Sequence, residues 1–248
     1  MIRVLSDLEA LSQAAAALFA ELAKEAVHDR GRFSVALSGG NTPRRLYEIL
    51  ANAPYLKKIE WQVVHIFWSD ERCVPPDDAR SNFRMARETL LDRVALPAEN
   101  IHAIQGDLPP AEAAGRYEAE LRKFFGDLQP TLDLILLGMG DNAHTASLFP
   151  HTAVLEEKKR WVAEVYVAEQ TMFRVTFTPP FVNQARQVIF LVSGVDKAVA
   201  LQNVLEGAYQ PQEYPAQLIR PNGAHPIWMV DRAAGNKLAV PFEEDSVY

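Results

Sequence analysis

Cysteine is almost absent from the chain: Cys73 is the only one among 248 residues. A disulfide framework is therefore excluded, and so is a zinc site built from several cysteines. A lone thiol is typical of proteins in a reducing compartment, so we expect a cytoplasmic location.

Long apolar runs and blocks of basic residues are also missing. The stretch Leu132–Met139 contains Asp133 and Gly138 and is far shorter than the roughly 20 apolar residues of a membrane span. The N-terminal sequence MIRVLSDLEA turns acidic without the apolar stretch of a signal peptide. A formal net charge of -7 and the lack of a Lys/Arg-rich block argue against nucleic acid as a partner. We therefore expect no membrane or nucleic-acid partner, and this charge is compatible with a local basic pocket for a small-molecule anion. The sequence leaves both a monomer and a homodimer open.

Short apolar runs rich in β-branched and aromatic residues alternate with longer amphipathic stretches along the chain. This alternation is typical of a parallel sheet covered by helices. It predicts an α/β fold in three layers, a mostly parallel sheet flanked by helices, and the lack of linkers and repeats predicts one domain over residues 1–248. The predicted strands are Phe33–Leu37, Val63–Trp68, Leu132–Leu137, Trp161–Val167, Arg174–Phe177, Val188–Val192 and Ile227–Val230.

Three helices are indicated most clearly. Ser6 and Glu9 have capping-box spacing, and the apolar residues that follow recur at helical intervals, so a helix is predicted to start at Ser6. A second helix is predicted after Pro109 and Pro110, and a third over Val195–Leu205.

The first segment that points to chemistry is Ser38-Gly39-Gly40-Asn41-Thr42-Pro43, between a predicted strand and a predicted helix. Two glycines permit close approach of a ligand to the backbone, Pro43 suits the first helical position, and a helix N-terminus attracts anions. A phosphate fits there, but a tight turn without a ligand explains the same residues. The segment is not a P-loop, because no Gly-Lys-Ser or Gly-Lys-Thr follows.

The second segment, Trp68-Ser69-Asp70-Glu71-Arg72-Cys73-Val74-Pro75, follows another predicted strand. Ligands of open α/β sheets gather beyond this carboxyl edge, where Asp70 and Arg72 offer a carboxylate and a guanidinium. Taken alone, the charges are better explained as a solvated loop. Ser81 and Asn82, farther on, are explained by capping of the next helix.

The third segment places a histidine after a buried strand and a pair of glycines, in Gly138-Met139-Gly140-Asp141-Asn142-Ala143-His144. A histidine held at the sheet edge suits general-base work near neutral pH. Helix capping or a bond to a core carbonyl are the alternatives for a lone histidine. A metal site is not expected, because His151, His65, His102 and His225 lack ligand spacing. A serine nucleophile is weakly supported, because no Gly-x-Ser-x-Gly elbow occurs.

In this order, the three segments resemble the 6-phosphogluconolactonase family, whose relatives include the glucosamine-6-phosphate deaminases. The third segment continues as His-Thr-Ala-Ser-Leu-Phe-Pro, which is part of the match. The resemblance extends over nearly the whole chain, with further matches at Arg174-Val-Thr-Phe-Thr-Pro, Gly194-Val-Asp-Lys197, Pro215-Ala216 and Trp228-x-x-Asp231.

The resemblance implies a modified Rossmann-like fold and hydrolysis of 6-phospho-D-glucono-1,5-lactone in the oxidative pentose phosphate pathway. It implies that His144 activates water and that the 6-phosphate is held by the Ser38-Gly39-Gly40 loop with Asn41 and Thr42, Arg174 and Lys197. Arg72 or the amides of the Gly138–Gly140 turn are candidates for oxyanion stabilisation, and Asp70 for orienting the substrate or His144. Neither a metal nor an organic cofactor is expected, because ester hydrolysis needs only a base, water and an oxyanion site.

One departure from the family pattern concerns the residues before His144. The family usually reads Gly-Met-Gly-x-Asp-Gly-His. This chain has Asn142 in place of the aspartate and Ala143 in place of the glycine before the histidine. Asn142 lacks the charge that stabilises an imidazolium, and Ala143 is strained if its φ is positive. We expect Asp141 to compensate if the turn is reshaped, and Gly140 to support the same turn.

The same segment provides evidence on two alternative functions. A sugar-phosphate sensor would keep the phosphate cradle without efficient catalysis, which the Asn142-Ala143 change keeps open and the retention of His144 and Arg72 opposes. An amino-sugar-phosphate deaminase or isomerase is disfavoured, because that branch has a glutamate shortly after the histidine where this chain has Ser147-Leu148-Phe149-Pro150.

Overall fold

A computed structural model describes residues 1–221, 225–239 and 243–244, the last two by their backbone. The strands, in chain order, are β1 (Ile2–Leu5), β2 (Phe33–Leu37), β3 (Val64–Trp68), β4 (Asp70–Arg72), β5 (Leu134–Gly138), β6 (Val162–Val167), β7 (Met172–Phe177), β8 (Gln187–Val192), β9 (Ile227–Asp231) and β10 (Glu243–Glu244). The helices are α1 (Leu8–Arg30), α2 (Asn41–Leu50), α3 (Tyr55–Lys58), α4 (Asn82–Thr89), α5 (Pro110–Phe125), α6 (Pro179–Val182), α7 (Ala198–Glu206) and α8 (Arg232–Gly235).

The central sheet of the described residues has seven strands in the order β10-β1-β9-β8-β5-β2-β3. Every neighbouring pair in it is parallel. Helices flank the sheet, and α1 packs on α2. The predicted class, a mostly parallel sheet between helices, is confirmed.

A second, smaller sheet departs from the expectation of a single parallel sheet. It has three antiparallel strands in the order β4-β7-β6, and α5 packs on β6 and β7. The sequence predicted β6 and β7 as strands without their direction. It did not predict β4, because three charged residues, Asp70, Glu71 and Arg72, do not read as a strand.

The core explains why the central strands read as continuous apolar runs. All five residues of β2 are buried, as are the first four of β5 and the last five of β8. Strands covered on both faces lose the polar alternation of a half-exposed sheet.

The start of α1 differs from the prediction by two residues. The helix begins at Leu8, and its N-cap is Asp7, whose side chain accepts a hydrogen bond from the Ala10 N–H. The Ser6–Glu9 capping box is therefore wrong, because a neighbouring carboxylate takes the capping position. The prediction over Val195–Leu205 is correct in place, but the structure divides it into a 3-10 turn, Val195–Lys197, and α7.

The parallel order brings four loops together at the carboxyl edge of the sheet. The segments after β2, β3, β5 and β8 leave adjacent strands on the same side. In the described part of the chain, no helix has the length and apolar character needed to cross a membrane.

Candidate active site

A cavity of about 400 Å³ lies at the carboxyl edge of the sheet. It is lined by residues from all four of these loops and from the small sheet. Those lining residues that the sequence singled out are Ser38, Gly39, Gly40, Asn41, Thr42, Asp70, Arg72, Gly138, Gly140, His144, Arg174 and Lys197. The structure thus brings the three predicted segments, together with Arg174 and Lys197, into one site.

The Ser38 loop forms one wall and is held from behind by a buried tyrosine. The Tyr47 hydroxyl accepts a hydrogen bond from the Ser38 N–H at 3.0 Å and donates one to the Ser38 carbonyl at 2.8 Å. Gly40 has a φ of 104°, which favours glycine, and caps α2 without a side-chain bond. The sequence predicted Pro43 as the first helical residue. This prediction is wrong, because α2 begins at Asn41 and Pro43 is its third residue. The first N–H groups of α2 have no partner within the helix, and such groups favour anions.

A buried polar cluster joins the small sheet to the histidine segment. Ser147 Oγ donates to Asp70 Oδ2 at 2.6 Å, and Arg174 Nη1 lies 3.5 Å from the same carboxylate oxygen. Arg174 Nη2 also donates to Gln170 Oε1. Burial lowers the pKa of Arg174, and Asp70 opposes that effect. Asp70 therefore holds the Arg174 guanidinium at the cavity wall.

Positive charge accumulates on this wall. Arg72 on β4 and Arg174 on β7 are directly opposite in the antiparallel ladder, an arrangement that is unfavourable for two like charges. Lys197 also lines the cavity and pairs with Asp196 at 2.9 Å between Nζ and Oδ2. Negative charge on a bound substrate would relieve the repulsion between the two guanidinium groups.

Unpartnered donors at the wall point to the same ligand chemistry. Among the described residues, Ser38 Oγ, Arg72 Nε and Arg174 Nε are buried without a hydrogen-bond partner. Such atoms cost about 1–3 kcal/mol each. Negatively charged oxygens of a substrate are acceptors that satisfy donors of this kind.

Glu71 organises the side of the cavity next to Arg72. Its carboxylate accepts from the N–H groups of Arg72 (2.7 Å), Asn82 (2.8 Å) and Phe83 (2.8 Å), and from Ser81 Oγ (3.0 Å). Burial raises the pKa of Glu71, and the three main-chain bonds oppose that effect. Glu71 thus ties β4 to the start of α4.

Asn82 has a larger part in the site than helix capping. Ser81 is the N-cap of α4, as predicted, but the Asn82 side chain lines the cavity and donates to the Asp70 carbonyl at 2.9 Å. A Cβ atom on Gly39 would come within 1.9 Å of Asn82 Oδ1. Gly39 is therefore needed for the close approach of the two loops.

His144 is oriented by the residue at which the sequence departs from the family pattern. Asn142 Oδ1 accepts from the His144 main-chain N–H at 3.1 Å and lies 2.6 Å from His144 Nδ1. Because one oxygen serves both contacts, Nδ1 carries the proton in the neutral ring. Nε2 is then the nitrogen with a free lone pair, as a general base requires.

The surroundings of His144 keep its ring neutral. Burial and the charge of Arg174 lower its pKa to about 4, against a smaller opposing effect of Asp70. The ring stacks on Phe149 with centroids 4.0 Å apart. His144 is therefore deprotonated at neutral pH, as a base must be, but it is a weak one.

The turn before His144 contains the strain that the sequence suggested. Ala143 is fully buried and has a φ of 61°. Gly140 is close to the ring, since a Cβ atom there would lie 2.1 Å from His144 Nδ1. Asp141 is exposed, and the atom at Nδ1 belongs to Asn142, so compensation by Asp141 stays a prediction. The Gly140 N–H donates to the His144 carbonyl at 2.8 Å and is therefore already engaged within the turn.

Metal binding has no support in the described part of the chain. No group of three or more His, Cys, Asp or Glu side chains there is arranged to hold a metal ion. His65 Nδ1 and His102 Nε2 lie 3.2 Å apart, and His102 Nδ1 lies 3.0 Å from Glu120, outside the cavity lining.

Sequence reasoning missed several residues that build the site. Three buried polar residues, each at most 5% exposed, lie inside the motifs that carry the family resemblance: Ser147, Glu71 and Asp231. A buried-strand position occupied by a carboxylate was the available signal, because buried charges need dedicated partners.

Comparisons with known proteins identify the family of the chain. The family model of glucosamine-6-phosphate isomerases/6-phosphogluconolactonase matches residues 6–228. A 6-phosphogluconolactonase of Nostoc sp. is 44% identical over 243 residues, covering 96% of this chain and 98% of the relative. One of Haemophilus influenzae is 36% identical over 200 residues, covering 81% and 85%. The solved 6-phosphogluconolactonase from Trypanosoma cruzi superposes with a TM-score of 0.86 at 26% identity, covering 96% and 97%. The chain belongs to the glucosamine-6-phosphate isomerase/6-phosphogluconolactonase family.

Proposed function

We propose that the protein hydrolyses 6-phospho-D-glucono-1,5-lactone to 6-phospho-D-gluconate, in the oxidative pentose phosphate pathway. The observation that carries the proposal is one cavity that joins a cationic wall to a neutral, oriented histidine. Relatives at 44% and 36% identity are named for this lactonase activity.

The phosphate end of the substrate lies, in this proposal, against the Ser38–Thr42 loop, Arg174 and Lys197. Main-chain donors at the start of α2 supply directional hydrogen bonds, and the two cations supply charge-assisted ones. The unpartnered Ser38 Oγ and Arg174 Nε support this assignment.

The chemical step takes place at the lactone carbonyl carbon. His144 Nε2 removes a proton from water as the water oxygen bonds to that carbon. Arg72 stabilises the resulting oxyanion, since the Gly140 amide is engaged elsewhere. The bond from the carbon to the ring oxygen then breaks, and the imidazolium returns its proton to that oxygen. Asp70 orients Arg174 and the substrate hydroxyls.

This reaction needs a base, water and an oxyanion donor, and so requires neither a metal nor an organic cofactor. We infer that residues 1–248 act as one domain, because one hydrophobic cluster includes residues from Val4 to Ala234. We place the enzyme in the cytoplasm on the strength of its lone cysteine. It acts on a small molecule as a monomer or a homodimer.

The proposal is tested by following disappearance of freshly generated lactone at pH 7. Wild type is compared with a protein-free blank, with His144→Ala, and with His28→Ala, in which an exposed histidine of α1 is removed. We expect acceleration by wild type and His28→Ala, and a rate near the blank for His144→Ala. If wild type bound 6-phosphogluconate but matched the blank, the lactonase proposal would fail and a sugar-phosphate sensor would replace it.

A further inference from the structure

Asp231 is a buried carboxylate at the end of β9, next to the loop that carries Lys197. Asp231 is 5% exposed, and β9 pairs with β8 through Val230 and Val192. The position puts Asp231 beside Ser193, the first residue after β8. Asp231 contacts the back of this loop, whereas Ser193 and Lys197 line the cavity.

The Asp231 carboxylate accepts hydrogen bonds from both sides, from the turn after β8 and from the start of α8. Asp231 Oδ2 accepts from Ser193 Oγ at 2.5 Å, and both carboxylate oxygens accept from the Gly194 N–H at 3.1–3.2 Å. Asp231 Oδ1 also accepts from the Ala234 N–H at 2.7 Å, which caps α8. Three donors thus converge on this carboxylate in four contacts. A carboxylate accepts through both of its oxygens, whereas an amide has one accepting oxygen.

A hydrogen bond within the turn connects Gly194 to Lys197. Gly194 has a φ of 107°, and its carbonyl accepts from the Lys197 N–H at 3.1 Å. Fixing the Gly194 amide therefore fixes the first residue of the turn that presents the Lys197 ammonium to the cavity.

We propose that Asp231 is a positioning residue for phosphate recognition: its carboxylate fixes the Ser193–Lys197 turn and thereby sets the affinity for the phosphorylated end of the substrate. This inference rests on the proposed function, which assigns Lys197 to the phosphate. Asp231 acts through Lys197 and not on the reacting carbonyl, so its loss weakens binding more than turnover.

The chain offers a matched control in Asp133. It is also a buried aspartate, 8% exposed, and its carboxylate accepts from the Ser34 N–H and hydroxyl and pairs with Arg30. It precedes β5, at the end of the sheet opposite the cavity. Asp133→Asn therefore removes comparable buried bonding without touching the phosphate wall.

The test compares wild type, Asp231→Asn, Lys197→Ala, the double variant and Asp133→Asn. The measured quantities are KM and kcat for the phosphorylated lactone, and the calorimetric Kd for 6-phosphogluconate. We expect Asp231→Asn to raise KM and Kd about tenfold, the scale of one charge-assisted hydrogen bond, with kcat within about threefold of wild type. The double variant should be little worse than Lys197→Ala, because both changes act on one unit. Asp133→Asn should leave KM and Kd unchanged.

Three results would overturn the inference. The first is a loss in Asp231→Asn that falls on kcat alone or is matched by Asp133→Asn. The second is full additivity of Asp231→Asn with Lys197→Ala. The third is an unchanged Kd in Lys197→Ala, which would remove Lys197 from the phosphate site and so contradict the assignment on which the inference rests. If Asp231→Asn does not fold, Ser193→Ala removes one of the four bonds, and a smaller rise in KM and Kd is expected.

Discussion

Replacing Asn142 by aspartate should change the pH dependence of catalysis in a defined direction. Asn142 Oδ1 lies 2.6 Å from His144 Nδ1. An aspartate there would keep the hydrogen bond and add a negative charge next to the ring. The charge favours the imidazolium, so the pKa of His144 must rise.

The size of the effect follows from the present environment of the ring. Burial and Arg174 lower the pKa of His144 to about 4. An opposite charge at this distance raises a pKa by about 1–3. The acid limb of kcat/KM, which reports the free enzyme, should therefore move from near pH 4 to about pH 5–7. A stronger base also accelerates proton transfer, and a Brønsted coefficient of about 0.5 gives a roughly tenfold higher kcat at pH 7.

The assay is kcat/KM for fresh lactone between pH 4 and 8, with the spontaneous rate subtracted at each pH. Asp141→Asn is measured beside Asn142→Asp, because this change removes an exposed carboxylate of the same turn whose charge raises the pKa of His144. Its acid limb should therefore move toward lower pH, opposite to that of Asn142→Asp. It also tests whether Asp141 compensates for the missing family aspartate, and unchanged activity would end that hypothesis. An acid limb at the same pH in Asn142→Asp and wild type would refute the assignment of His144 as the base.

Three further predictions concern the same turn. Gly140→Ala should lower kcat at least about 100-fold with little change in Tm, because its Cβ would lie 2.1 Å from His144 Nδ1 and displace the ring; wild-type kcat would contradict the geometry. Ala143→Gly should change the free energy of unfolding in urea by less than about 1 kcal/mol, because relief of the positive φ offsets the loss of the methyl group. Ala163 in β6 is the control, since it is equally buried but has no positive φ, and Ala163→Gly should lower the free energy of unfolding by more than about 1 kcal/mol. His144 also makes the stability depend on pH, because between pH 6.5 and about 4 its side chain binds a proton in the unfolded chain but not in the folded one. Its contribution to the free energy of unfolding, up to about 3 kcal/mol, is therefore present above pH 6.5 and lost as the pH falls toward 4. His144→Gln should show a shallower fall of the unfolding free energy over that range, and an equal slope would contradict the burial of a neutral ring.

Much of the fold could be predicted from the sequence, because buried parallel strands are nearly uniform apolar runs. Phe33–Leu37 was predicted with its observed bounds, and the strand after it within one residue. The antiparallel sheet was not predicted, since strand direction depends on partners distant in sequence. Asp70–Arg72 in particular is a strand because β7 pairs with it, and its own composition opposes a strand.

The residues of the candidate site were predictable where a motif carried them and not where burial did. His144 and the Ser38 loop stand at strand ends beside glycines, which the sequence displays directly. The bonds of Glu71 to α4 and of Asp231 to the Lys197 loop join elements that only the folded chain brings together. Likewise, the acceptor role of Asn142 required its side-chain geometry, since the sequence alone indicated a lost charge.

The central claim is that one cavity holds the phosphate ester while His144 carries the hydrolysis. It is tested most directly with His144→Gln, by measuring lactone decay with phosphorus NMR and the Kd for 6-phosphogluconate in matched samples. The account predicts a Kd within about threefold of wild type and a decay rate equal to that of the protein-free blank. Lactone decay in His144→Gln at the wild-type rate would contradict it.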